Sequence, residues 1–86
     1  MSWDEASFVV RGKIRKAVLA KLRNPMTPTL LSKELHTSVP NISRTLRELQ
    51  AADLIESLTP KARAGKIFRA TAKGQLVLKR LEEMGT

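Results

Sequence analysis

Segment 38–56, SVPNISRTLRELQAADLIE, restricts the fold more than any other part of this chain. If it is wound as a helix from residue 39, one side carries only apolar residues, namely Val39, Ile42, Leu46 and Leu49. This spacing is typical of a helix that buries one side in a core. The other side carries Pro40, Asn41, Arg44, Arg47, Glu48 and Ala51, with a single acid near its far end. Ordinary solvated faces mix both charge signs, so this face indicates a specific use.

A second, shorter helix is predicted just before this one. Thr27 followed by Pro28 is a helix start, because a hydroxyl cap precedes a proline at the first helical position. Leu31 and Leu35 then lie one turn apart, and HTS at 36–38 forms a tight polar connection in which Ser38 caps the longer helix. Two helices joined by a three-residue turn are the helix-turn-helix pattern.

Another helix is predicted at about residues 8–22, where Ile14, Val18 and Leu22 recur every four residues. Gly12 weakens this helix by about 1 kcal/mol relative to alanine. At 2–5, SWDE matches a capping box in which the Ser2 hydroxyl accepts a hydrogen bond from the backbone N–H of residue 5.

After the long helix the periodicity changes. LIESLT at 54–59 and IFRAT at 67–71 are short strand candidates around the basic turn PKARAGK, which predicts a β-hairpin. Thr71 then caps a last helix with the apolar stripe Val77, Leu81 and Met84. We therefore predict one α+β domain over residues 1–86, with three helices, a two-stranded hairpin and a C-terminal helix.

The basic excess of the chain is segregated. Sixteen Lys and Arg residues face eight Asp and Glu residues, for a formal charge of +8. Residues 11–23 hold six basic residues and no acid, and residues 57–70 hold four and no acid. A small domain with this charge is expected to bind a polyanion, and nucleic acid is the leading candidate. A solubilising charge and an anionic membrane surface are the alternatives.

Several other classes find no support in the composition. The chain has no cysteine, which excludes disulfides and zinc–thiolate sites and fits a reducing cytoplasm. His36 is the only histidine, so we expect a polar turn residue there and no metal site. No phosphate-binding loop, dinucleotide motif or nucleophile–base pair is evident, so neither an enzyme nor a cofactor is expected. No apolar run approaches the roughly 20 residues of a membrane span, and the acidic N-terminus reads as mature protein.

The predicted order of elements suits duplex DNA, whose major groove accepts one α-helix. Arginine pairs with guanine and asparagine with adenine, so the outward residues near the start of the long helix are candidate reading residues. These are Asn41, Ser43, Arg44 and Thr45. Helix N-termini supply N–H groups for phosphates, which makes Thr27 and Ser38 candidate backbone contacts. The hairpin supplies Lys61, Arg63, Lys66 and Arg69.

Three segments within residues 27–78 resemble the winged helix-turn-helix domains of archaeal transcriptional regulators of the MarR and ArsR type. In chain order they are LLSKEL, ISRTLRELQAADLIE and RATAKGQLVL. The resemblance implies sequence-dependent binding of double-stranded DNA, with the recognition helix at about 39–52 in the major groove. It places the wing, 57–70, on flanking backbone or minor groove. By position, Pro40, Asn41, Ser43, Arg44 and Arg47 are then the reading and positioning residues. A homodimer is frequent in such proteins.

The chain departs from that pattern in two places. Leu30 replaces an acid expected early in the second helix of the pattern, which adds apolar surface there. The final helix is short and leaves little room for an effector pocket, and no small-molecule effector is evident.

Other interpretations stay open at this point. A winged helix also serves as a protein-docking module, with Leu30 in the contact patch. RNA binding is a third candidate, but aromatic residues for base stacking are scarce. In another interpretation, the exposed side of the long helix is an ordinary solvated surface on which Arg44 pairs with Glu48. The basic residues of 11–23 can likewise form an ordinary solvent-exposed surface. The apolar stripe of the last helix, with Trp3 and Phe8, packs either against a second copy of the chain in a homodimer or against the chain's own core.

Overall fold

The computed structural model describes residues 3–63 and 65–85, which contain five helices and two strands. The helices are α1 (Trp3–Arg11), α2 (Arg15–Lys21), α3 (Pro28–Leu35), α4 (Val39–Ala51) and α5 (Ala72–Glu83). The strands are β1 (Ile55–Ser57) and β2 (Phe68–Ala70), between α4 and α5. The α+β class, the helix-turn-helix pair, the hairpin and the last helix are confirmed.

The predicted first helix was wrong in one respect, because it is two helices. The chain turns at residues 12–14 between α1 and α2. Glycine lowers helix stability at this point, and a Cβ on Gly12 would overlap the side chain of Arg15, which folds back over it. The helix also begins earlier than predicted, at Trp3. The Ser2 capping box lies outside the described residues.

Three predicted hydroxyl caps are confirmed, and they set the starts of α3, α4 and α5. Thr27 Oγ1 accepts from the N–H of Leu30 at 3.2 Å, and Ser38 Oγ accepts from that of Asn41 at 3.4 Å. Thr71 Oγ1 accepts from the N–H of Gly74 at 3.0 Å. Each bond satisfies one N–H that has no partner inside its helix.

The turn between α3 and α4 depends on His36, which has the left-handed conformation at φ 52°. This conformation lets the chain leave α3 sharply, and the Thr37 N–H donates to the Ser32 carbonyl at 3.1 Å. Ser32 Oγ in turn donates to the Thr37 carbonyl. The turn therefore has a defined geometry, which fixes α4 relative to α3.

The hairpin is antiparallel, with Ile55 opposite Ala70 and Ser57 opposite Phe68. Its strands are shorter than the predicted 54–59 and 67–71. Backbone bonds also tie β2 to the segment before α3. Phe68 and Met26 exchange N–H···O bonds of 2.9 and 3.0 Å, and the Ala70 N–H donates to the Leu22 carbonyl at 2.7 Å. The base of the wing is thus attached to the helical part of the domain.

Every described helix and both strands contribute to one apolar core. Its largest members include Val9, Leu19, Leu31, Ile42, Leu49, Ile55, Phe68, Leu78 and Leu81. No helix in the described ranges is long and apolar enough to cross a membrane.

Of the terminal stripe, Val77 and Leu81 lie inside this core. Phe8, half-buried, packs against it. Met84, the third member of the stripe, follows the last turn of α5 and is 42% exposed, so it does not cover the chain's own core. The Trp3 side chain lies outside the described residues.

α5 approaches the start of β1 so closely that only glycine fits at position 74. A Cβ there would lie far inside the 3.0 Å that real Cβ atoms keep from other heavy atoms, against the Leu54 carbonyl oxygen. Thr71 holds the same junction, since its Oγ1 donates to the Asp53 carbonyl at 2.8 Å and its N–H donates to that of Leu54 at 3.0 Å.

We expect Gly74→Ala to destabilise the domain by about 1–3 kcal/mol, the usual cost of overpacking. Helix propensity alone would favour alanine by about 1 kcal/mol, so the sign of the change tests the close approach. Urea unfolding measures it. Gln75→Ala, on the exposed side of α5, is the control and should change stability by less than about 0.5 kcal/mol. A Gly74→Ala variant as stable as the parent would contradict this packing.

Candidate nucleic-acid interface

α4 buries one side and presents the other, as its spacing predicts. Ile42, Leu46 and Leu49 are buried against the rest of the core. The predicted burial of Val39 was wrong, because it is the first residue of α4 and is 42% exposed. The outward residues are Pro40, Asn41, Arg44 and Arg47, which are exposed, and Ser43, which is half-buried.

Thr45 does not belong to the outward face, and this placement was wrong. Its side chain is only 3% exposed. Thr45 follows Ile42 by three residues and precedes Leu49 by four, so all three lie on the same side of the helix. A threonine there packs like a valine, and it is unavailable for direct contact with a base.

Two of the predicted reading residues touch each other. Arg44 Nη2 donates to Asn41 Oδ1 at 3.4 Å, one turn apart on the exposed side of α4. The bond uses one guanidinium N–H and leaves the other donors of Arg44 facing outward. The amide of Asn41 keeps its own two N–H donors. Together they form a compact donor-rich surface in the N-terminal half of α4.

The alternative in which Arg44 pairs with Glu48 as part of a solvated face is not supported, because Glu48 pairs with Arg15 from α2. Arg15 Nη2 and Nε donate to the two carboxylate oxygens at 3.1 and 3.3 Å. Arg15 Nη1 also donates to the Phe8 carbonyl at 2.7 Å, and the guanidinium lies 4.0 Å from the centre of the Phe8 ring. One arginine therefore connects α1, α2 and α4.

These bonds also change the acidity of Glu48. The hydrogen bonds from Arg15 lower its pKa below the ordinary 4.5, against an opposing effect of burial, and the charges of Arg15 and Arg44 lower it further. Glu48 is the single acid of α4. Its charge is compensated by Arg15 of α2, which leaves the outward face of α4 positive.

The wing separates its four basic residues into two environments. Lys61, Arg63 and Lys66 are exposed in the loop between the strands. Arg69 lies within β2 and donates from Nε to Glu56 Oε2 at 3.2 Å across the hairpin. The loop is narrowed by a bond from the Leu58 N–H to the Ile67 carbonyl at 2.8 Å. Three cations that form no ion pair among the described residues therefore lie at the end of this hydrogen-bonded hairpin.

Thr27 and Ser38 lie at the starts of α3 and α4, as predicted. Their hydroxyl oxygens already accept hydrogen bonds from their own helices. They orient the first turns, whose remaining N–H groups point away from the helix bodies. His36 is exposed beside Ser38. Within residues 3–63 and 65–85, no group of three His, Asp or Glu side chains is placed to hold a metal ion.

Sequence reasoning missed two residues near this surface, Lys13 and Arg15. Both lie at the α1–α2 turn, which packs beside α4. The one available signal was the acid-free basic run 11–23. Nothing in its spacing indicates which of its members face α4, because the break at Gly12 changes their direction.

Comparisons with known proteins agree with this geometry. Residues 3–86 match the family model described as the HVO_A0261 N-terminal domain. Among solved structures, a mutant MarR from E. coli complexed with operator DNA has a TM-score of 0.77 at 22% identity. The oxidized form of MarR from E. coli has 0.67 at 24%, and the MarR family transcription regulator SP03579 has 0.70 at 29%. These likenesses show a MarR-like winged helix-turn-helix fold.

The chain is shorter than the proteins it resembles. The three alignments cover 93%, 76% and 95% of this chain, in the order given above, but only 59%, 48% and 62% of the solved chains. No curated protein matches the sequence.

Arg15 and Glu48 should be coupled in the stability of the domain. In a double-mutant cycle of Arg15→Met and Glu48→Gln, we expect a coupling energy of about 0.5–1 kcal/mol at pH 7, because solvent screens a half-exposed pair. The lowered pKa of Glu48 means that this stabilisation is present above the ordinary pKa, 4.5, and is lost as pH falls through the folded-state pKa. Urea unfolding at a series of pH values measures both.

The matched control is the more exposed pair Arg69 and Glu56, whose side chains are 52% and 46% accessible, against 19% and 37% for Arg15 and Glu48. Its coupling should be smaller. Equal coupling in the two pairs would show that the greater burial of Arg15 and Glu48 does not strengthen their interaction, and no coupling between them would show that their pairing does not stabilise the domain.

Proposed function

Because the chain belongs to the HVO_A0261 N-terminal domain family and has a MarR-like winged-helix fold, we propose that it binds double-stranded DNA as a transcriptional regulator. α4 enters the major groove and the wing contacts flanking backbone or minor groove. The observation that carries the proposal is the exposed side of α4, where Arg44 and Asn41 lie together and the only acid is compensated by Arg15. A solved neighbour of this fold is described as complexed with operator DNA.

Sequence-dependent binding is supported by the chemistry of the α4 residues. Arg44 is suited to the O6 and N7 atoms of guanine, and Asn41 to the N6 and N7 atoms of adenine. Arg47 lies one turn further along the same exposed side, with Pro40 and Ser43 bordering the surface. Thr45 has no part in direct reading, since it is buried.

The wing is suited to phosphates. Lys61, Arg63 and Lys66 are exposed and have no acid in their loop. Such contacts add affinity without sequence information, and they make binding sensitive to salt. Arg69, paired with Glu56, contributes less charge to this surface. The first turns at Thr27 and Ser38 add N–H groups for the same backbone. The domain, residues 1–86, thus has a binding role and no catalytic one.

Docking to another protein is the second candidate, and one observation favours it. Leu30, in the first turn of α3, is 42% exposed, as the sequence predicts. Binding that persists at high salt and ignores DNA would support this candidate. The uncompensated charge of the wing and α4 supports DNA instead.

The reading role of Arg44 is tested by comparing a duplex selected from a random library with an unrelated duplex, using fluorescence anisotropy. Arg44→Ala should reduce the preference between the two by about 1–3 kcal/mol, since it removes a base contact. Lys66→Ala should weaken both alike and make the salt slope shallower by about 0.9, the value for one phosphate. Arg80→Ala, on the exposed side of α5, is the charge-matched control. Equal losses on both duplexes for Arg44→Ala would contradict the reading role.

A homodimer is a further prediction, and the exposed apolar residues of α1 and α5 are its candidate contacts. Val77 and Leu81 are unavailable because they lie in the core, whereas Val10 and Leu76 are 47% and 56% exposed. We expect sedimentation equilibrium to show self-association that Leu76→Lys weakens, with Gln75→Lys as the control. A chain that stays monomeric at all concentrations up to about 1 mM would refute the dimer, because a Kd of about 1 mM already corresponds to a binding free energy of only about 4 kcal/mol.

A further inference from the structure

The turn between α1 and α2 lies beside α4 and lines two grooves with it. One groove, about 300 Å³, has Lys13 and Arg15 on one wall and Arg44 and Glu48 on the other. The second, about 320 Å³, runs from Lys13 past His36 to Asn41 and Arg44. Lys13 and Arg44 line both. We infer that Lys13 binds a backbone phosphate of the DNA whose bases α4 reads. This inference rests on the proposed function.

The charges around Lys13 leave it available to an anion. Of the six basic residues in 11–23, three form ion pairs with acids in the part of the chain that the structure describes: Arg15 with Glu48, Lys21 with Glu34, and Arg23 with Glu82. Lys13 is exposed, in the turn between two helices. Among the described residues, the one acid that lines the first groove is Glu48, which already receives two hydrogen bonds from Arg15. The second groove is lined by no carboxylate among the described residues.

The position of Lys13 matches the geometry that DNA requires. A helix in the major groove lies between two phosphate backbones, so cations beside the helix meet phosphates while those on its outward face meet bases. Lys13 is on the neighbouring turn and not on α4, which places its ammonium beside the helix. A lysine contributes a compact charge on a flexible stem, which suits a phosphate oxygen.

Lys13 would act separately from the wing. Neither groove is lined by any described residue of the loop between β1 and β2. The wing cations Lys61, Arg63 and Lys66 lie on that loop. The domain would therefore contact the DNA backbone from the α1–α2 turn as well as from the wing. Arg15 and Glu48 hold this turn against α4, so the position of Lys13 relative to the reading residues is set within the fold.

The test compares Lys13→Gln with Lys79→Gln, since both remove one positive charge from an exposed lysine. Lys79 lies on α5, in a groove with Arg23 and Leu76 that no residue of α4 lines. The affinity of each variant and of the parent for one short duplex is measured by anisotropy between about 50 and 200 mM salt. Loss of one phosphate contact makes the slope of log K against log salt shallower by about 0.9. The ratio of the association constant of the unsubstituted protein to that of Lys13→Gln should then fall about 3.5-fold from the lowest to the highest salt concentration.

Lys79→Gln should keep the parental slope, and Lys13→Arg should restore it, since arginine also binds phosphate. The preference of Lys13→Gln between a selected and an unrelated duplex should equal that of the parent, because a phosphate contact carries no base information. Equal slopes for Lys13→Gln and Lys79→Gln, with the parent binding duplex DNA, would overturn the Lys13 contact alone. A parent without salt-dependent affinity for duplex DNA would overturn the proposed function, and this inference with it.

Discussion

Burial of one side of α4 is the constraint on which the rest of the structure depends. Ile42, Leu46 and Leu49 enter from this helix the same core that holds the leucines of α2, α3 and α5. In a chain of 86 residues the core is thin, so each large apolar side chain contributes a sizeable part of the stability. The orientation of α4 that buries these three residues also directs Asn41, Arg44 and Arg47 outward. Stability and the candidate interface therefore have one physical origin.

Backbone bonds position the wing relative to that helix. The reciprocal bonds of Phe68 and Met26 place the segment just before α3 next to β2, so the hairpin is attached both to that segment and, through β1, to the end of α4. β1 follows α4 through the tight turn at Asp53, which has a positive φ of 63°. α5 then closes over this junction at Gly74. A two-stranded ribbon is marginal alone, and these attachments explain how short strands hold a defined direction.

The charge of the chain divides into structural and available parts. Arg15, Lys21 and Arg23 are engaged with acids on α4, α3 and α5, and Arg69 is engaged with Glu56. Lys61, Arg63 and Lys66 on the wing, and Lys13 beside α4, keep their charge exposed. A count of +8 indicates affinity for polyanions but does not separate these groups. Because the paired cations are neutralised within the fold, the available positive charge is concentrated on the wing and beside α4.

Periodicity and caps made most of the fold predictable. The stripe Ile42, Leu46 and Leu49, the hydroxyl–proline starts at Thr27 and Ser38, and the glycine-containing basic turn are local signals, and each resulted in the expected element. The basic wing and the outward side of α4 followed from the same signals. Errors arose where a residue was near the edge of a pattern. Thr45 was placed outward although its spacing from Ile42 and Leu49 puts it on the buried side.

Only the tertiary structure decided which charges meet and which surfaces adjoin. Arg15 and Glu48 are 33 residues apart in the chain, and their pairing depends on the break at Gly12 and on the packing of α2 against α4. The same packing brings Lys13 beside Arg44. Sequence spacing reports neighbours within one helix or strand, because the periods of these elements are fixed. Contacts between elements depend on how the side chains of the core fit together, which no local period describes.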